Sequence, residues 1–114
     1  MRKALLLAAL AATPSLAAAE TRCGWIHNPT PANWWLTDAD GDWVLMLQGG
    51  EGVPGMDLIP DLTAAGWVRT NGWYGYGCAC MEVETAGGAV LAILGFEQLP
   101  LSRCEADPAL PPPS

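Results

Sequence analysis

Tyr76-Gly77-Cys78-Ala79-Cys80-Met81 is the stretch on which the fold of this chain turns. In an extended segment successive side chains leave opposite faces, so Cys78 and Cys80 leave the same side of one strand, where two other segments can each be tied to it. The other cysteines, Cys23 and Cys104, lie near the two ends of the chain. A bridge between Cys78 and Cys80 would close a strained ring between neighbouring side chains of one strand. Cys23 and Cys104 are therefore each expected to pair with one of them. Which goes to which stays open.

That disulfide frame needs an oxidising compartment, and the first residues point to one. Met1-Arg2-Lys3 is a basic start, Ala4 to Ala12 is a short apolar run, and Ala17-Ala18-Ala19 supplies small residues of the kind a signal peptidase accepts. Residues 1–19 are expected to be a signal peptide cleaved after Ala19, sending the protein to the periplasm or outside the cell. The run is shorter than the roughly 20 apolar residues of a membrane span, and no later stretch approaches that length. Removing 19 of 114 residues leaves 95, enough for one small domain, expected over residues 20–107. Each bridge would add about 3 to 4 kcal/mol in the chain-entropy model, a large share of such a domain's stability. Arg2 and Lys3 leave with the leader, so Arg22, Arg69 and Arg103 face twelve acidic residues, a net charge of −9 with no lysine. Nucleic acid and anionic lipid surfaces are repelled by such a charge.

Outward from the cysteine strand, read as Tyr74 to Glu84, the chain is organised as short strands between turns. Thr85-Ala86-Gly87-Gly88 turns it and Ala89 to Phe96 returns as an apolar strand. Upstream, Trp67 to Thr70 reads as a short strand before an Asn71-Gly72 turn. Asn33 to Thr37 and Asp42 to Leu47 form a hairpin around Asp38-Ala39-Asp40-Gly41, with Gly41 at a left-handed position. Between them, Gln48 to Gly66 carries five glycines with Pro54 and Pro60 and reads as a long connection holding at most one helical turn, near Asp61 to Ala65. Pro100 interrupts the chain before Cys104. Pro108 and Pro111-Pro112-Pro113 mark residues 108–114 as a polyproline-like tail, expected to be disordered. The fold class is all-β, a small antiparallel sheet or partly open, OB-like barrel held by two disulfides, with α+β the alternative.

Arg22-Cys23-Gly24-Trp25, Asn28-Pro29-Thr30-Pro31, Asn33-Trp34-Trp35-Leu36-Thr37-Asp38, Asn71-Gly72 and Tyr74-Gly75-Tyr76-Gly77-Cys78-Ala79-Cys80 resemble the domain-of-unknown-function family 4087, short exported proteins of Gram-negative bacteria. The similarity runs from about Arg22 to Asp107 and includes Leu99-Pro100-Leu101 before Arg103-Cys104. It implies export, paired cysteines and a single domain, and it transfers no catalytic residue. The apolar Met56 to Ile59 stretch departs from the more acidic loop expected there.

Few side chains are left for chemistry. His27 is the only histidine, so a general base of that type must be His27, in what reads as a loop. A serine hydrolase would have to use Ser102, which has no nucleophile elbow around it. Glu82 and Glu84 share a strand face, their α-carbons roughly 7 Å apart, and read as a solvated strand end. Asp38, Asp40 and Asp42 alternate as in a calcium loop, but the glycine is Gly41 and the closing glutamate position is Gly49. A zinc site on the cysteines is opposed by compartment and spacing. No catalytic residue, metal or other cofactor is implied.

Tryptophan remains. Six of the mature residues are Trp, and the adjacent Trp34 and Trp35 must face opposite sides of a strand. Large aromatic faces suit stacking on sugars or serving as anchors for a protein partner. Trp34, Trp35, Trp25, Trp73, Tyr74 and His27 are the candidate binding residues. The leading reading is a monomeric, non-enzymatic binding module for a protein or an envelope glycan. A small hydrolase using His27 with a carboxylate, and a structural or stress-protective envelope protein, are the alternatives.

Overall fold

A computed structural model describes residues 17–113. Most of the expected leader lies outside the described residues, as does Ser114. Among the described residues six antiparallel strands form one open sheet: β1 (Ala18–Asn28), β2 (Trp34–Asp38), β3 (Gly41–Met46), β4 (Trp67–Asn71), β5 (Tyr74–Ala86) and β6 (Ala89–Leu99). The order is β3-β2-β1-β5, and β4 and β6 lie end to end along the outer side of β5, β4 on Tyr74–Gly77 and β6 on Cys78–Ala86. Gln98 secures that junction by donating its amide to the carbonyls of Leu62 (3.0 Å) and Ala65 (2.8 Å).

The cysteine strand is the axis of this sheet. Its return hairpin closes at Gly87 and Gly88, both with positive φ (60° and 82°), the two-residue turn whose twist matches right-handed strands and which a side chain resists. The β2–β3 hairpin also forms where expected, but its turn is set by the Asp38 carboxylate, which accepts the Asp40 amide at 2.8 Å. Gly41 has φ 134°, outside the left-handed helical well expected for it.

β1 is the strand that the sequence pattern hides. It pairs with β5 along its whole length and with β2 through Trp25–His27, so His27 belongs to a strand and not to a loop. Its face toward the large core reads Glu20, Arg22, Gly24, Ile26, polar for most of its length, which erases the alternation that marks a half-buried strand. At Gly24 a β-carbon would stand 2.0 Å from the Thr37 carbonyl oxygen, so only glycine lets β1 and β2 bend together there.

The sheet curls around Ile26, Leu36, Leu45, Ala79, Met81, Val83 and Ile93, with Leu62 from the long connection packed in. Each fully buried Leu, Ile, Val or Met side chain here contributes about 1.5–3 kcal/mol. The connection does more than link strands: the Val53 amide donates to Leu45 of β3 and Pro54 accepts the Ile93 amide of β6, bridging the two strands. Its helical turn is a 3-10 turn at Met56–Leu58, upstream of the expected position, and Asp61 instead accepts the Thr63 amide in a side-chain turn. The apolar Met56 to Ile59 stretch is accounted for, since Met56 and Ile59 pack on the core.

Two disulfides complete the frame, Cys23–Cys80 and Cys78–Cys104. Register decides between the open pairings. Cys23 stands directly opposite Cys80 and Trp25 opposite Cys78, leaving Cys78 for a more distant partner. That partner sits on a short helix missing from the sequence reading, α1 (Leu101–Glu105), which starts just after Pro100.

Candidate functional site

The face of the sheet turned away from the large core carries the aromatic residues of interest. Register places Val44, Trp35, His27, Tyr76 and Val68 side by side across β3, β2, β1, β5 and β4. The His27 ring stacks on Trp35, centroids 5.5 Å apart at 26°, and lies 6.0 Å from Tyr76 on its other flank. His27 is buried between them, while Trp35 and Tyr76 are half-buried and Val44 is exposed. Two residues along β1 from His27, Trp25 meets Tyr76 edge-on at 5.5 Å. The four rings form one contiguous row, in which Trp25 and His27 are buried and Trp35 and Tyr76 are half-buried.

One end of that row is occupied by the chain itself. The tail expected to be free is packed here: Leu110 joins Trp25, Leu99 and the Cys78–Cys104 bridge in a second small core, and the Trp25 indole Nε1–H donates to the Pro111 carbonyl at 2.9 Å. Pro108 to Pro113 and α1 border a cleft beside Trp25 and Tyr76. Disulfide Cys78–Cys104 is the physical reason, because it brings α1 and the segment after it onto this face.

Burial and local pairing set the surroundings of the ionisable candidates. Burial holds the His27 imidazole below its ordinary pKa of 6.5, partly offset by Asp42. Among the described residues no ion pair or hydrogen bond joins His27 to a carboxylate, so the His27–carboxylate pair that a hydrolase needs is not assembled. The calcium-like carboxylates are taken up by other partners: Asp38 and Asp40 both accept from Arg22 Nη1, at 3.1 and 2.6 Å, whereas Asp42 accepts the Thr37 hydroxyl. Arg22 lies 4.1 Å over the Trp43 ring and also pairs with Glu20. Burial works against its charge, but hydrogen bonds to Asp40, Asp38 and Glu20 hold it above the ordinary arginine value. Glu82 accepts from the Thr21 hydroxyl across the sheet, within β5 and not at the strand end expected for it, because β5 continues to Ala86 with β1 and β6 paired on its two sides. No three His, Cys, Asp or Glu side chains converge on a metal position among the described residues.

A model for a protein family of unknown function, DUF4087, matches residues 17–111. The chain belongs to the DUF4087 family. Neither the curated proteins nor the solved structures contain a match. The DUF4087 span includes all four cysteines, the aromatic row and the contact between Trp25 and Pro111.

Within this DUF4087 domain the candidate residues separate. Trp34 packs toward the large core and Trp35 lies on the opposite face, as alternation requires. Trp25, His27 and Trp35 are brought together. Tyr74 shares the face of Tyr76 by two-residue spacing and is half-buried. Trp73 stands apart at the β4–β5 turn, 65% exposed beneath the Arg69 guanidinium at 4.4 Å. Tyr76 was missed as a site residue, although the alternation that aligns Cys78 with Cys80 aligns Tyr76 as well.

Proposed function

We propose that this DUF4087 protein is an exported, non-enzymatic binding module that receives a protein segment or an envelope glycan on the aromatic row. The observation that carries this reading is the row itself. Trp35 and Tyr76, held in place by the buried ring of His27 between them, present half-exposed faces on the side of the sheet away from the main core. Rigid aromatic faces with little conformational freedom to lose are suited to stacking and to anchoring a partner. Nothing in the geometry favours the hydrolase reading, since His27 lacks both a paired carboxylate and exposure.

Trp35→Ala tests the row. Peptidoglycan fragments and a panel of envelope peptides, each immobilised, are challenged with wild type and variant. Retention should fall at least tenfold for the variant at unchanged melting temperature, the loss expected for about 1.4 kcal/mol or more of stacking. Equal retention of wild type and a folded Trp35→Ala protein on every ligand would remove the row from the function.

A further inference from the structure

The tail is seated as a ligand would be. Pro111, Pro112 and Pro113 have φ fixed near −65°, and Leu110, Pro111 and Pro112 each precede a proline, which restricts them to extended conformations. After a turn in which the Leu110 amide donates to the Asp107 carbonyl at 3.2 Å, Pro111 to Pro113 favour a polyproline helix by their own chemistry. The segment has no amide hydrogen to offer at its prolines, so recognition must use its carbonyls and ring faces. The carbonyl is used: the Trp25 Nε1–H donates to the Pro111 carbonyl at 2.9 Å, while Leu110 enters the small core beside Tyr76 and Pro111 to Pro113 border the cleft at Trp25 and Tyr76. An aromatic groove with an indole donor aimed at a proline carbonyl is the physical requirement for binding polyproline segments. The tail borders Trp25 and Tyr76, and the row continues past Tyr76 through the buried His27 ring to Trp35.

Acidic side chains border the same groove. Glu105 and Asp107 line the cleft at Trp25, and Asp42, beside the Arg22-paired Asp40, lines the hollow on the other side of Pro108 to Pro111. The tail carries no basic residue to answer them.

We propose that this face recognises a proline-rich segment bearing a basic residue, supplied by a partner protein, and that residues 108–113 occupy part of the site as an internal competitor. The inference rests on the binding-face reading and names its ligand. A partner segment with lysine or arginine gains the attraction of the acidic rim that the tail lacks. The tail, tethered beside its site, keeps the partner's apparent affinity low until it is displaced.

Two peptides serve as probes, the Ala109–Ser114 sequence and the same sequence preceded by two lysines, titrated into the full chain while the Trp25 indole N–H resonance is followed by NMR. A tail-released full chain, Leu110→Asp with Pro111→Gly, is titrated in parallel, and its melting temperature checks that the domain stays folded. The lysine peptide should bind the released chain at least tenfold more tightly than wild type, and more tightly than the neutral peptide at low salt. Trp25→Phe, which keeps a ring but removes the donor, should weaken peptide binding followed through the peptide's own resonances, and in the chain with its tail otherwise intact it should release the tail resonances. Equal affinity for folded wild type and released chains would overturn the competitor role, and no shift of Trp25 with either peptide in either chain would overturn the ligand assignment. If the released chain does not fold, exchange of the Trp25 indole proton in wild type decides. Faster exchange with added lysine peptide overturns the proposal, and transfer of its protection to the peptide supports it. Peptidoglycan fragments that shift Trp35 and Tyr76 while both peptides shift nothing would overturn this proposal and leave the binding face standing. No shift of the row with any of these probes would sink both.

Discussion

His27 is an imidazole used for its shape, a flat ring filling the space between Trp35 and Tyr76. The unfolded chain takes up a proton on it near 6.5, whereas in the fold burial resists that proton, with Asp42 of β3 partly countering and the uncharged rings of β2 and β5 on its flanks. Its neutral form therefore favours folding fully above pH 6.5, and stability falls as pH drops through 6.5 toward the lowered folded value. Thermal melts from pH 8 to 5 should show this decline, and His27→Phe should flatten it. Glu20 acts in a separate window: hydrogen bonds from Thr85 and Arg22 hold its carboxyl below 4.5, so its contribution is present above 4.5 and lost as pH falls further. Gly24 makes a steric prediction. Gly24→Ala forces a β-carbon onto the Thr37 carbonyl, and chemical denaturation should show a loss of about 3 kcal/mol with no change in the disulfides.

β5 is the element on which the others depend, since β1, β4 and β6 all pair with it and both disulfides start from it. The two bridges do different things. Cys23–Cys80 joins strands that already pair, with Cys23 exposed at the surface, whereas Cys78 and Cys104 are buried and hold α1 and the tail against Trp25. Limited reductant followed by alkylation and mass spectrometry should label Cys23 and Cys80 first, because thiol exchange needs access to a sulfur. Early labelling of Cys78 and Cys104 would contradict that arrangement. Replacing both Cys78 and Cys104 by Ser should cost about 3 to 4 kcal/mol in the chain-entropy model, and should redden Trp fluorescence as the tail leaves Trp25. Of the elements, the two hairpins were legible because turn residues and two-residue alternation are local signals. β1 and α1 were not, since Arg22 facing the core gains its acidic partners only in the fold, and a five-residue helix is set by a remote disulfide.

At the scale of the whole molecule, the sheet curls and the long connection bridges β3 to β6, so the core is shared by segments far apart in sequence. β1 begins at Ala18, and Ala18 and Ala19 pair with Thr85 and Glu84. If the protein is exported as proposed, cleavage after Ala19 removes those two pairs and leaves Glu20, held by Arg22 and Thr85, as the first residue. Intact-mass measurement of the protein from a periplasmic fraction should give a chain starting at Glu20 with all four cysteines oxidised. A start beyond Arg22 would remove the ion cluster over Trp43 and contradict the expectation. The sequence by itself determined the β-rich class, the two hairpins, the tie of both terminal segments to one strand, and the acidic charge, because alternation, turn chemistry and composition act locally or add up without reference to shape. Only the tertiary structure decided which cysteine meets which, that His27 and Trp25 are buried, that Trp35 and Tyr76 share a surface, and that the proline tail docks. Those depend on strand register and on which distant surfaces meet, and a one-residue change of register would have sent every one of these side chains to the other face.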